Sequence, residues 1–139
     1  EPDGPMEELS EPIVIENPKR KVDLLEEEYA LKKDYSTLKM LLEEQLKTKQ
    51  YLEMLKQSDD GLSLFPAQPF LYLMNGRALN SLRKHKEALS ILEEGQDYIM
   101  EDDQIKAAFY EELSLGHKAL GNNKIATEYH KQATELKAK

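Results

Sequence analysis

His85, His117 and His130 carry the only side chains in this 139-residue chain that ordinarily titrate near neutrality, which makes them the first candidates for acid–base or metal chemistry. Their spacing does not support either role. No two share the i,i+4 separation with which one helix face offers two imidazoles to a zinc ion, and HExxH does not occur. The absence of cysteine removes thiolate nucleophiles, disulfides and thiolate-held zinc together. "SDDG" (58–61) and "MEDD" (100–103) are acidic enough for calcium but lack the alternating carboxylates and distal Glu of a calcium loop. Asp59 and Asp60 read as the wet face of a helix, and Glu101–Asp103 as a helix-start cluster favoured by the macrodipole. Glu43-Glu44 and Glu93-Glu94 are adjacent in sequence, so on a helix they point to different sides and cannot work as an acid–base pair. GxxxxGK[ST], GxGxxG and GxSxG are absent. The residues therefore predict a protein that recognises rather than catalyses, with no cofactor and no metal.

Charge narrows what is recognised. The net charge is −8, and residues 1–18 hold six acids with no Lys or Arg, leaving 21 acids against 19 bases in 19–139. A balanced or acidic surface gains nothing from counterion release on a phosphate backbone, so nucleic acid is not an expected partner. No apolar run approaches the roughly 20 residues of a membrane-spanning helix. A protein or peptide partner remains.

The elements that must carry such recognition are helices. Residues 1–17 hold three of the chain's six prolines and are expected to form an acidic, mostly disordered arm. Asn17-Pro18 reads as a helix start, and Val22, Leu25 and Tyr29 keep helical spacing within 18–33. Further periods begin at Tyr35 and Tyr51, and the latter stops at "FPAQP". Others span about 68–82, 85–99, 104–120 and 123–136, with "MEDD" and "GNN" as breaks. Seven helices with short connectors result, and no segment alternates like a strand.

Seven helices could form a closed bundle or an open solenoid, and repetition favours the solenoid. Moving 49–66 forward by 34 residues lays Gly61 on Gly95, Met54 on Ala88 and Leu55 on Leu89. Moving the result forward by 38 lays Ala88 on Ala126, Leu92 on His130 and Gly95 on Ala133, the four extra residues falling at "MEDD". Small residues at fixed places in the second helix of each unit predict close helix approach, with Gly76 facing Ala88 inside the middle unit and Gly95 meeting the next unit.

These residues resemble the tetratricopeptide (TPR) family, a 34-residue helix–turn–helix repeat. The middle repeat matches at Tyr72, Asn75-Gly76, Leu79, Arg83, Ala88, Leu92, Gly95 and Met100. The last matches at Tyr110, Leu113-Ser114, His117, Gly121, Ala126, His130 and Ala133. The first is degenerate, with Leu38, Leu41-Leu42, Gln45, Lys49, Met54, Ser58, Gly61 and Pro66 at those places. "LFPAQPFLY" with the residues that follow also looks like bacterial TPR proteins of the Bacteroidota type. The resemblance implies an all-α, right-handed α-solenoid of antiparallel helix pairs. Its repeats would span 35–66, 69–100 and 107–139, with 18–33 a packing helix from an incomplete preceding unit. His117 and His130 would then occupy packing positions, and His85 a turn.

The family binds peptides or protein segments in the groove lined by the first helix of each repeat. Carried over position by position, that groove would offer Lys39, Phe70, Met74, Arg77, Asn80, Glu111 and Lys118, with Glu43, Leu73, Ser81, Ala108, Glu112 and Leu115 beside them. The carboxylate clamp of chaperone-binding members is not expected, because its positions here hold Lys39, Glu43, Met74, Ala108 and Glu112. The resemblance thus implies a scaffold within a longer array in the bacterial cytoplasm or periplasm. The alternative is a self-associating structural repeat protein. Lys131, Lys137 and Lys139 beside the stripe Tyr129, Ala133 and Leu136 suggest a solubilising end and a monomer. If the register is right, Ala88→Leu overpacks a helix contact and costs about 1–3 kcal/mol, readable as a lowered melting temperature.

Overall fold

The computed structural model describes residues 20–139; the expected acidic arm and the Asn17-Pro18 helix start lie outside them. Among the described residues seven helices follow one another and there is no strand. They are α1 Lys21–Lys32, α2 Tyr35–Lys47, α3 Tyr51–Leu64, α4 Pro69–Ser81, α5 His85–Gln96, α6 Asp103–Ala119 and α7 Asn123–Lys137.

Local chemistry explains the boundaries. The Asp34 side chain accepts the Thr37 amide at 3.1 Å and caps α2. Hydrogen bonds from Thr37 hold the Asp34 carboxyl below the usual carboxylate range. Asp102 accepts the amides of Gln104 and Ile105 at the start of α6, the cap expected of "MEDD". Pro69 opens α4, where its missing N–H costs nothing. Helix α5 ends at Gln96, three residues before the expected Ile99, because the chain tightens there into three-residue turns: Asp97 N bonds Glu94 O and Tyr98 N bonds Gly95 O.

The turns between the two helices of each pair repeat one motif. Lys49, Arg83 and Gly121 all have positive φ, at 59°, 64° and 84°. In each case that residue's amide reaches the carbonyl three residues back. The next amide reaches the carbonyl five back: Gln50 to Gln45, Lys84 to Leu79 and Asn122 to His117, all at 2.8 Å. This is the Schellman termination, which favours glycine at the left-handed residue. Only the last unit has glycine there.

Packing is strictly sequential. Each helix touches its chain neighbours, and beyond that only α2 with α4 and α4 with α6 approach. Among the described residues nothing closes the row into a ring. Two core clusters run along it and meet at α4. Leu71, Met74 and Ala78 face back to Val22, Leu25, Tyr29, Leu38, Leu41, Leu42 and Met54. Tyr72, Leu73 and Leu79 face forward to Ala88, Leu92, Phe109 and Leu113. Helix α4 is therefore buried on nearly every side, as its run of apolar residues requires. Gln45 stands in α2 where Leu79 stands one unit later, and its fully enclosed amide has no hydrogen-bond partner.

The small residues sit inside these contacts. A Cβ on Gly61 would lie 2.6 Å from Leu38 of its own unit and 3.5 Å from Leu71 of the next. A Cβ on Gly95 would land on Tyr72 and stand 3.1 Å from Phe109. Ala88, Ala126 and Ala133 are buried. The space at Gly76 is filled by Leu92, whose Cγ would be 2.5 Å from an added Cβ. Gly116, passed over in the sequence, makes an approach of the same kind to Leu89 and to Asn80 Oδ1.

Arg83 is exposed, so its left-handed conformation can be relieved without disturbing a contact. Arg83→Gly is expected to raise stability by about 0.5–1 kcal/mol, less than the full left-handed penalty because glycine also loosens the unfolded chain. Chemical denaturation with an unchanged slope is the measurement, and a loss of stability would contradict the termination described.

Candidate protein-interaction groove

Curvature locates the groove. Consecutive first helices α2, α4 and α6 approach one another, whereas α3 and α5 have no Cα atoms within 8 Å of each other, and neither have α5 and α7. A row of pairs that is closer on one side bends around that side, so α2, α4 and α6 line the inner face. On α4 the accessible line is Phe70, Arg77 and Ser81. The repeat register places Ser36, Glu43 and Lys47 in the equivalent line of α2, and Ala108, Leu115 and Ala119 in that of α6.

The residues expected to line the groove divide into three groups. Lys39 and Phe70 come together: Lys39 is exposed, its Nζ lies 5.4 Å from the Phe70 ring centroid, and Phe70 packs by its other side on the core. Arg77 and Asn80 also converge, but on Glu112 of the next first helix. Arg77 Nε donates to Glu112 Oε2 at 2.9 Å, and Asn80 Nδ2 donates to Glu112 Oε1 and to its backbone carbonyl at 3.0 Å. Met74, Glu111 and Lys118 are not brought to the centre. Met74 is 3% exposed and belongs to the core behind the groove.

Glu111 turns toward α7, where it accepts from Lys137 Nζ at 2.7 Å and pairs with His130 Nδ1 at 3.1 Å. The Lys137 hydrogen bond holds its carboxyl below the usual range, with His130 adding to this and partial burial opposing it. Lys118 lines a cleft of about 380 Å³ with Ser114, Asn123, Ala126, Thr127 and His130.

The central network is held on both sides. Because Asn80 donates through Nδ2, its Oδ1 is free to accept, and His85 Nδ1 lies 2.8 Å away, which places the proton on Nδ1. The chain Arg77–Glu112–Asn80–His85 thus ties α4, α6 and the first turn of α5 together beneath the groove. Behind it Asn75 Nδ2 donates to Ser58 Oγ at 2.9 Å and Asp59 Oδ1 at 2.8 Å, anchoring α4 to α3.

The histidines depart from two expectations. His85, expected at a turn, is the first residue of α5, while His117 is half-buried and stacks on Tyr129 at 5.8 Å. His130, expected at a packing position, is 65% exposed at its side chain. Its counterpart Leu92 occupies the space left by Gly76, but the counterpart of Gly76 is Ser114. The Ser114 Cβ closes that slot, so His130 turns out to Glu111. Ser114 is noted in the sequence only as a repeat position, and Asn123 and Thr127, which build the cleft with it, are not singled out; the replacement of the Gly76–Leu92 pair by Ser114–His130 is the available signal.

No protein-family model matches the chain, and no curated protein matches it in sequence. Solved structures do. MamA AMB-1 superposes with a TM-score of 0.69 at 17% identity, over 84% of this chain and 68% of that one. MamA MSR-1 gives 0.66 at 16% identity, and a double mutant of MamA RS-1 gives 0.67 at 18%, covering 66% and 64% of those chains. The fold is a TPR-like α-solenoid. The chain spans about two thirds of the length of these TPR-like neighbours. No helix among the described residues is long and apolar enough to cross a membrane.

Glu112 is 13% and Arg77 25% exposed at the side chain, so removing one partner strands the other in a partly dry setting. Glu112→Ala is expected to cost about 1–3 kcal/mol, since Arg77 and Asn80 both lose an acceptor. Adding Arg77→Met should recover part of the loss by removing the stranded cation. Denaturation of the single and double variants measures both effects, and a double variant less stable than Glu112→Ala would refute the pairing.

Proposed function

We propose that the protein is a non-catalytic interaction scaffold that holds a peptide or protein segment along the inner face of α2, α4 and α6. The carrying observation is the convergence of first helices on a face whose centre is already ordered. Phe70 is seated on the core under the Lys39 ammonium, and Arg77 is clamped by Glu112. Ordering these side chains beforehand spares the entropy of fixing them on binding. Phe70 and the half-exposed Leu115 on the neighbouring helix offer apolar footholds on either side of the Arg77–Glu112 pair. An amphipathic helix or an extended segment with apolar residues at matching intervals fits that spacing. Neither an enzymatic role nor nucleic-acid binding belongs to this reading. The partner is a protein, and the scaffold itself is taken to act as a monomer.

Arg77 is not a clean test position, because Arg77→Glu would place two carboxylates together and damage the scaffold itself. Lys39 and Ser81 are exposed and border the inner face without entering the Arg77–Glu112 network. Lys39→Glu with Ser81→Trp should therefore abolish capture of a natural partner by the full chain in a pull-down, with the melting temperature unchanged. Undiminished capture by that variant would defeat the assignment to the inner face.

A further inference from the structure

The second helices leave a gap in the middle of the array. Helices α3 and α5 have no Cα atoms within 8 Å of each other, and α4 runs beneath the space between them on the side away from the inner face. The cleft there measures about 380 Å³. Its walls are all helices inside the row. Leu55 of α3, Leu79 of α4 and Ile91 of α5 give it an apolar lining. Asp59 of α3 and Glu87 of α5 stand at opposite rims, with Lys84 at the start of α5.

A buried polar group in this cleft has one hydrogen-bonding position unused. Asn75 lines the cleft and is 2% exposed. Its Nδ2 donates to Ser58 Oγ at 2.9 Å and to Asp59 Oδ1 at 2.8 Å. The Ser58 hydroxyl proton is committed to the Met54 and Leu55 carbonyls, so Ser58 Oγ can only accept from Asn75. The orientation of the amide is therefore fixed, and Oδ1 is left as an acceptor with no donor among the described residues. It is not sealed from the open space. Charge adds a second specification. Among the described residues neither Asp59, Glu87 nor Lys84 makes an ion pair, and two carboxylates against one ammonium favour a cation. Acceptors on three helices around an apolar trough suit an aliphatic stem that ends in a planar fork of donors, which a compact ammonium does not offer.

We propose that this outer cleft binds an arginine side chain carried by a segment of a partner protein. The stem lies on Leu55, Leu79 and Ile91, and the guanidinium donates to Asn75 Oδ1 and pairs with Asp59 and Glu87. The site does not depend on the inner-groove reading, because it uses neither Lys39, Phe70 nor Ser81.

The probe is a blocked peptide, acetyl-Ala-Leu-Arg-Leu-Ala-amide, compared with the same peptide carrying citrulline, the neutral isostere, in place of arginine. Titrated onto the full chain, the arginine peptide should shift the side-chain amide resonances of Asn75 and the backbone amide of Ile91, and leave those of Lys39 and Phe70 in place. Citrulline should weaken binding about tenfold, the scale of one lost charge-assisted pair. Glu87 and Ser90 are exposed, so their variants should keep the melting temperature. Glu87→Gln should weaken the arginine peptide about threefold. Ser90→Trp should fill the cleft and abolish binding. Lys84→Ala removes the competing cation and should strengthen binding. The Lys39→Glu, Ser81→Trp variant should bind the peptide as the parent does, which separates this site from the inner groove. Three results would overturn the proposal: no shift at Asn75 at millimolar peptide, equal binding of the citrulline peptide, or binding that survives Ser90→Trp. Concentration-dependent doubling of mass in light scattering, lost in Glu87→Lys, would assign the cleft to an arginine of a second copy and remove the partner.

Discussion

The array depends on one constraint: the second helix of each unit must touch two first helices at once, its own and the next. A helix can do this only where its backbone comes near both, and Gly61 and Gly95 are the places. Gly61 lies against Leu38 and Leu71, and Gly95 against Tyr72 and Phe109, so one missing side chain admits two large ones. Glycine inside a helix costs roughly 0.5–1 kcal/mol relative to alanine. Burying parts of two large side chains more than offsets that, at about 25 cal/mol per Å² of apolar surface. Because both first helices are drawn toward the same backbone, they also approach each other, and the inner face is a consequence.

That approach explains the chemistry left on the inner face. Helix α4 is clasped from both directions, so most of its side chains, Met74 included, are spent on packing. What emerges from it is a half-buried ring, a paired guanidinium and Ser81. Two of the polar residues that the close approach buries are satisfied by neighbouring side chains, Asn80 by Glu112 and His85 and Asn75 by Ser58 and Asp59, whereas Gln45 has no such partner. These bonds fix the rotation of α4 relative to α3 and α6, and hence the direction in which Phe70 and Arg77 face. Recognition in such a groove rests on a few preset side chains more than on a broad apolar surface.

Much of this was legible because it is periodic. The places of Gly61, Gly95, Ala126 and Ala133 follow from two shifts of the chain against itself, and the turn positions Lys49, Arg83 and Gly121 keep the same period in their backbone geometry. What escaped depends on angles that periodicity does not carry. Side chains on a helix lean back toward its N-terminus, and Gly76 meets the Leu92 side chain, a contact that the alignment of small residues does not announce. Whether Met74 points into the groove or behind it turns on a rotation of α4 of a few tens of degrees, and with apolar residues all round that helix no pattern in its sequence decides it.

His130 shows why position in a repeat does not determine environment. The register equates it with Leu92, but Leu92 is buried only because Gly76 makes space. Ser114 withdraws that space, and the imidazole is better placed on a carboxylate at the surface. The third unit compensates with rings. Tyr129 meets the Tyr110 ring at a tilt of 42° with centroids 5.5 Å apart and stacks on His117 at 5.8 Å, joining α6 to α7 along a different line. Ser114 Oγ donates to the Ala126 carbonyl at 2.7 Å and holds the two helices at the point where the glycine contact is missing. The same helix pair is therefore built by aliphatic interlock in the middle of the array and by stacking and a hydroxyl bond in the last unit. The second arrangement leaves a cleft because rings and a hydrogen bond fix the separation of two helices without filling the space between them.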